Sequence, residues 1–387
     1  MEPGQAWALE VECRAAKAGK DALKRLGWLD SGRRSQLTCD GSKVAFPVTM
    51  QGAQALLSIF GGERGQDQCE QLVGSPGASL VSLELPGNRR SSIAPQQRLS
   101  KEVLLLLQER DLDEALVEEL PTKWERIGDL VILPGSSLRS ELWKSLGSPL
   151  WKIIAECLGV TKVARQGPVA STGTRDSGVE MLLGEDGWVE HRENAILYCF
   201  DATKCMFSSG NVTERSRMGE LNCDNDVIVD LFAGIGYFVL PFLVRARAKH
   251  VYACEWNPHA LYALRRNLRA SAVEKRCTVI EGDNRLTAPR EVADRVCLGL
   301  LPSSEGSWAV AVRALKSGGG ILHVHENIKD VEEEDWIEYL TKSLQTLANA
   351  QGRSWEIRVN HIEHVKWYAP HVRHIVADVW CSSFKET

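Results

Sequence analysis

Residues 227–242 read VIVDLFAGIGYFVLPF: an apolar run, an aspartate, two glycines two apart, and a second apolar run. The first run has the length of a buried strand, and Gly234 and Gly236 let the backbone turn tightly as it leaves. This turn is not built for phosphate. A P-loop needs Gly-Lys-Ser/Thr behind its glycines and a dinucleotide fingerprint needs a third glycine, and the sequence has neither. Asp230, at the end of the strand, would repel a phosphate and attract a cation at similar range. The turn therefore suits a bulky ligand that is neutral or positively charged.

Reading outward, the apolar runs VIVDLFA, HVYACEW, CTVIEG, RVCLGLL and GGILHVH alternate with helical stretches. That rhythm is an open parallel sheet with helices on both faces. The last two strand candidates, WEIRVNHIEHVKWY and RHIVADVWC, have only APHV between them. A parallel crossover needs about a dozen residues, so these two must pair as an antiparallel hairpin. The expected fold class is α/β: a Rossmann-like open sheet of the class I S-adenosylmethionine (SAM) dependent methyltransferase type, closed by that hairpin. A smaller α+β domain and a small N-terminal module precede it.

Two further strand ends are acidic. YACEWNPHAL puts Glu255 at the tip of the second strand, where a carboxylate accepts from both hydroxyls of a ribose, and Asn257 and Pro258 read as a helix N-cap and first residue. VIEGDNRL puts Asp283 and Asn284 at the tip of the third, where a carboxylate can accept from an adenine amino group. Asp230, Glu255 and Asp283, in that order, form the acidic series expected of a site for an adenosyl sulfonium. SAM is the expected co-substrate.

DLFAGIGYF, EWNPHA and GDNR, the upstream MFSSGNVTERSRM and the closing VKWYAPHVRHIVADV resemble one family. It holds the archaeal and eukaryotic tRNA guanine-37 N1-methyltransferases together with the wybutosine-synthesizing protein 2 branch. The resemblance covers about residues 125–387 and little of the first 100. It implies that FSSGNVTER closes over the cofactor, with Ser208 and Arg215 touching it. It also implies that Glu255 binds the ribose and that Asp283 with Asn284 holds the adenine.

Amino-methyltransferases of this architecture carry an amide or acid ahead of the proline that follows the fourth strand. Here the segment is GLLPSSEGSW, with Leu300 and Leu301 ahead of Pro302 and no side-chain acceptor at either position. Leu301 is placed with the cofactor-binding residues. The N1-guanine enzymes have an Asn where this chain has Gly299 and Leu300, and LGLLPSSEGSW and GGILHVHEN resemble the wybutosine branch more closely. That branch moves the 3-amino-3-carboxypropyl group of SAM onto C7 of 4-demethylwyosine in phenylalanine tRNA and leaves methylthioadenosine. Guanine-37 N1-methylation and an inactive RNA-binding subunit are the alternatives. The sulfonium supplies the leaving group, so no catalytic base is assigned. His323 and His325 share one face of a strand, and His325, nearer its carboxyl end, is the weak candidate.

Composition sets the remaining bounds. The formal charge of −5 would repel a polyanion, so tRNA must meet a local basic face. Arg265, Arg266 and Arg269 on the helix after Glu255 form one cluster, and Arg192, Arg215 and Arg217 flank the cofactor loop. Trp143 and Trp151 are candidates to pack or to stack. The eleven cysteines show no CxxC pair and no zinc-spaced histidines, which points to reduced thiols and no metal. Without a basic leader or a long uncharged apolar run, the expected location is cytoplasmic, with no membrane partner.

The expected domains are residues 1–100, a small module and linker with possible tRNA recognition; 101–200, α+β; and 201–387, catalytic. Within them, a helix is expected from Ala8 to Leu26, a linker over 84–100 with Arg89 and Arg90, and a helix from Glu102 to Leu112. VTKVARQG and the two halves of residues 178–202, split at Gly-Glu-Asp-Gly, are expected to give three strands.

Overall fold

A computed structural model describes residues 5–38, 42–62, 65–74, 77–85, 94–167 and 177–383. The chain divides into two compact units, Met1–Arg98 and Leu99–Thr387.

The first unit runs β1 (Gln5–Glu12), α1 (Ala16–Arg25), β2 (Gln36–Leu37), β3 (Lys43–Pro47), α2 (Met50–Phe60), α3 (Gly65–Val73) and β4 (Ser79–Glu84). Its antiparallel sheet has the order β2-β3-β1-β4. The helix expected from Ala8 is corrected here, because Gln5–Glu12 is a central strand and the helix starts only at Ala16. The alanines favour a helix locally, but hydrogen bonding on both edges overrides that preference. Ala6 and Ala8 face Ala45 and Leu85, while Leu9 and Val11 face a core with Leu23, Phe46 and Leu56.

Helix α4 (Pro95–Glu109), which belongs from Leu99 onward to the second unit, begins seven residues earlier than expected. Proline suits a helix's first position, and Leu99, Val103, Leu106 and Leu107 bury one stripe. Residues 86–93, with Arg89 and Arg90, lie outside the described residues. Next come β5 (Glu125–Ile127), β6 (Leu130–Leu133), α5 (Glu141–Leu158), β7 (Lys162–Arg165) and β8 (Glu180–Leu183), which form a sheet in that strand order. Trp143 and Trp151 belong to its core, so they pack.

The stretch after Gly187 is two strands, not one: β9 (Trp188–Glu193) and β10 (Ile196–Asp201) pair as a hairpin. Asn194 and Ala195 turn it with φ of 49° and 63°, the left-handed pair that matches strand twist.

After α6 (Val212–Glu220) come β11 (Val227–Asp230), β12 (His250–Glu255), α7 (Pro258–Ala270), β13 (Cys277–Glu281), α8 (Asn284–Thr287) and β14 (Arg295–Leu298). The chain ends with α9 (Trp308–Ala314), β15 (Gly319–Lys329), α10 (Glu333–Ala350), β16 (Trp355–Ala369) and β17 (Val372–Ser383). The seven-stranded sheet has the order β13-β12-β11-β14-β15-β17-β16. The strands from β11 to β15 are parallel, and β17 inserts antiparallel between β15 and β16. One face packs on Phe238, Phe242, Leu264 and Met218, and the other on Trp308, Leu340 and Leu344. Tyr198 and Phe200 of β10 share the first core, so residues 101–200 and 201–387 meet within one unit.

Candidate cofactor site at the strand ends

Parallel strands deliver their carboxyl ends to one edge of a sheet, and the loops leaving them form the cleft there. At this edge the chain leaving β11 is stitched to both neighbours: Leu231 N–H donates to Cys297 of β14 and Ala233 N–H to Cys254 of β12. The loop then turns on Gly234, with φ of 53°, and Gly236, with φ of 104°. A Cβ at Gly234 would lie 2.6 Å from the Tyr237 ring, so the cradle tolerates no side chain.

Glu255 joins two of these tips. Its Oε2 accepts from Gly234 N–H at 2.7 Å, and its Oε1 accepts from Trp256 and Asn257 N–H at 2.8 and 2.7 Å. Burial raises its pKa, and the three N–H groups oppose that. Asp230 is fully buried. One of its oxygens accepts from Phe232 N–H at 3.1 Å, and Oδ2 has no partner. Burial pushes its pKa up to about 7, against the Phe232 N–H and with help from the Glu255 charge. A buried, unpartnered carboxylate oxygen beside a side-chain-free cradle fits a cationic ligand group.

Asp283 caps α8, accepting from Arg285 N–H, and pairs with the Arg285 guanidinium at 2.5 Å. Asn284 is buried and holds two tips in register: its amide donates to the Leu231 carbonyl at 2.8 Å, and its carbonyl accepts from Ser307 at 3.1 Å. Leu301 is half-buried in the loop after β14, where the Leu301–Pro302 peptide is cis. Asp230, Gly234, Gly236, Glu255, Asp283, Asn284 and Leu301 thus lie on the loops and tips of one sheet edge.

Ser208 and Arg215 stand on the segment before the sheet. Arg215 is buried, and its guanidinium makes a two-point ion pair with Glu193 at 2.5 and 2.7 Å while donating to the Ser208 carbonyl. Burial raises Glu193, but Arg215 and His191 overrule it and bring it down to about 2. Ser208 Oγ accepts from Lys366 on β16 at 2.9 Å, and Ser209 donates to Glu125 of β5. The loop is therefore pinned from three elements. Phe207 beside it packs 5.8 Å from Tyr237, which links it to the glycine turn.

The basic clusters divide. Arg215 and Arg217, which flank the cofactor loop, are both engaged in ion pairs: Arg215 with Glu193, and Arg217 with Glu214 and Asp378 at 2.8 and 2.7 Å. Arg265, Arg266 and Arg269 are exposed on α7, with Arg265 paired to Glu281 and Arg266 lying over the Trp188 ring. His325 is enclosed, with its ring against Phe238 and Nδ1 at 3.1 Å from His374, and burial holds its pKa well below the ordinary value. That is a packed strand histidine, not a base open to the cleft.

Three residues escaped the sequence reading. Trp256, 49% exposed, offers an aromatic face next to the Glu255 carboxylate. Glu326 and Asn327, past the level at which β14 ends, each carry a buried oxygen without a partner. A polar pair at the end of an apolar strand was the signal. A cavity of about 420 Å³ lined by Lys162, Trp188, Glu190 and Arg266 uses none of the candidate cofactor residues named above. Among the described residues, no group is arranged to hold a metal ion, and no helix is long and apolar enough to cross a membrane.

Residues 189–351 match the TRM5/TYW2 methyltransferase domain, and residues 104–187 the TYW2 N-terminal domain. The Arabidopsis thaliana tRNA wybutosine-synthesizing protein 2/3/4 is 50% identical over 97% of this chain, which spans only 40% of that protein's length. The Danio rerio tRNA wybutosine-synthesizing protein 2 homolog is 42% identical, over 96% of this chain and 98% of its own. The crystal structure of P. horikoshii TYW2 in complex with MeSAdo is 31% identical with a TM-score of 0.62, covering 74% of this chain and all of that one. Sheet order and the glycine turn define the class I SAM-dependent methyltransferase fold. Within that class the chain belongs to the tRNA wybutosine-synthesizing protein 2 family.

Proposed function

We propose that the chain transfers the 3-amino-3-carboxypropyl group of SAM to C7 of 4-demethylwyosine at position 37 of phenylalanine tRNA, in wybutosine biosynthesis, and releases methylthioadenosine. The observation that carries this reading is the 42% identity to a wybutosine-synthesizing protein 2 homolog across nearly the whole of both chains. The apolar pair Leu300 and Leu301 supports it, because this segment lacks the side-chain acceptor that amino-methyltransferases place there for a target amine.

When bound, SAM supplies a sulfonium that carries its own leaving group. The chain's part is to orient it and exclude water. Asp230 Oδ2 receives the ammonium, Glu255 the ribose hydroxyls, and Asp283 the adenine amino group, with Asn284 holding that turn in place. Trp256 flanks the nucleoside, and Gly234 and Gly236 leave room for it. Ser208 closes the near side, positioned by Arg215, and Leu301 walls the far side. The work is done in the cytoplasm, without a metal.

Chromatography of a reaction containing SAM and phenylalanine tRNA that carries the tricyclic precursor tests the reading. Methylthioadenosine is the expected small product. S-adenosylhomocysteine formed with tRNA that still carries guanosine at position 37, and no methylthioadenosine from the precursor tRNA, would make the chain a guanine-37 N1-methyltransferase.

A further inference from the structure

This inference rests on the proposed function and concerns how the acceptor base is held. The segment after β14 has no side-chain acceptor ahead of Pro302, yet the base must be oriented within a few tenths of an ångström for in-line transfer. The neighbouring strand offers what the segment lacks. β14 ends with Leu298 level with Val324, whereas β15 continues to Lys329, so Glu326 and Asn327 stand above the last β14 residue. The outgoing segment folds back onto them: Ser303 bridges Glu326, and Asn327 N–H donates to the Pro302 carbonyl at 2.8 Å.

Strand alternation puts Asn327 on the same face as His323 and His325 and opposite His374 of β17. That face turns toward the glycine loop, because the His325 ring lies 5.0 Å from Phe238, and a Cβ at Gly299 would meet the same Phe238 ring at 3.0 Å. Asn327 Oδ1 is buried there without a partner. We propose that Asn327 supplies, from β15, the acceptor missing from the segment after β14, its carboxamide oxygen taking a ring N–H of the acceptor base.

An acceptor suits this chemistry. When C7 forms its bond to the transferred carbon, positive charge spreads into the ring system until the C7 proton leaves, and a carbonyl oxygen on a ring N–H stabilises that charge. The surroundings do not oppose it. Burial keeps His325 well below its ordinary pKa and lowers His374 to about 4, with Lys366 adding to the second, so both rings stay uncharged near neutrality. Asp378 is held by Arg217 and His323, and Lys366 by Ser208, while Glu326, whose pKa burial raises to about 7 with help from Glu305, alternates to the opposite face of β15.

The test uses the full chain, SAM, and phenylalanine tRNA bearing 4-demethylwyosine. Asn327→Ala should lower kcat/KM for the tRNA about tenfold, the equivalent of one hydrogen bond, while the Kd for SAM stays within about twofold. Asn327→Asp keeps an acceptor oxygen and should restore most of the rate, and it serves as the reference if the alanine variant folds poorly. Unchanged kinetics in Asn327→Ala would overturn the assignment, as would a parallel loss of SAM affinity, which would put Asn327 in the cofactor site. Wild-type chain yielding S-adenosylhomocysteine would overturn the reaction instead, a result separable from either.

Discussion

In the parallel half of the large sheet, the polar side chains near the strand ends bond mainly to backbone. Glu255 takes three N–H groups, Asn284 holds the Leu231 carbonyl, and Asn267 on α7 accepts from Cys199 N–H and donates to the Ile235 carbonyl. In the antiparallel half, buried side chains bond to one another. Arg217 bridges Glu214 and Asp378, Asp378 takes His323 at 2.7 Å, and His325 meets His374. Backbone ties fix the geometry of tips that must receive a ligand. Side-chain ties lock α6, which follows the Ser208 loop, onto the closing hairpin. The first half should therefore be sensitive in binding and the second in stability.

The largest expected effect lies in the second half. Arg217→Ala leaves the fully buried Glu214 and the mostly buried Asp378 without their cation. Breaking one partner of a buried pair costs about 3–5 kcal/mol. Denaturant unfolding should show that loss, and a change under about 1 kcal/mol would mean that the network is not what holds the hairpin.

Next comes Glu255→Ala, expected to weaken SAM binding by about 1.5–3 kcal/mol, the range for hydrogen bonds to a charged group. Calorimetry giving equal affinities for wild type and variant would remove the ribose assignment. It would also blur the contrast, since Glu255 would then be only a backbone tie.

A pH series sharpens the same contrast from a buried carboxyl with no side-chain partner. Asp230 has its pKa raised by burial to about 7, so the ligand-free fold loses stability as pH rises from the ordinary carboxylate range through 7. Binding a cation favours the ionised form, so SAM affinity should move the other way, gaining about tenfold between pH 6 and 8. Asp230→Asn should flatten that rise. An equal rise in the variant would assign it to another group.

This division also explains what could be read from the chain alone. Asp230, Glu255 and Asp283 were legible because each ends an apolar run, and the order of runs gives the sheet. The ion pairs of Arg215 and Arg217 were not legible because their partners are set by tertiary folding: Arg217 and Asp378 are 161 residues apart. Gln5–Glu12 was misread for a related reason, since its alanines carry helix propensity while strands on both sides decide its state. Asn327 shows in the sequence only as half of a polar pair ending an apolar strand, because the loop that packs on it reaches it only after folding.

The smallest expected effect tests the outer face of the parallel half. Arg265, Arg266 and Arg269 lie exposed on α7, and tRNA binding by an acidic chain must draw on such local charge. Each arginine that neutralises a phosphate adds about 0.9 to the slope of log affinity against log salt. Arg265 already pairs with Glu281 and Arg266 already lies over Trp188, so engaging RNA would mean giving up existing contacts. Replacing all three by alanine should thus reduce the slope by about 1 to 2, short of the sum for three free contacts, with SAM affinity unchanged. An unaltered slope would return the cluster to a solvated helix face and shift the search for the RNA contact to other basic residues.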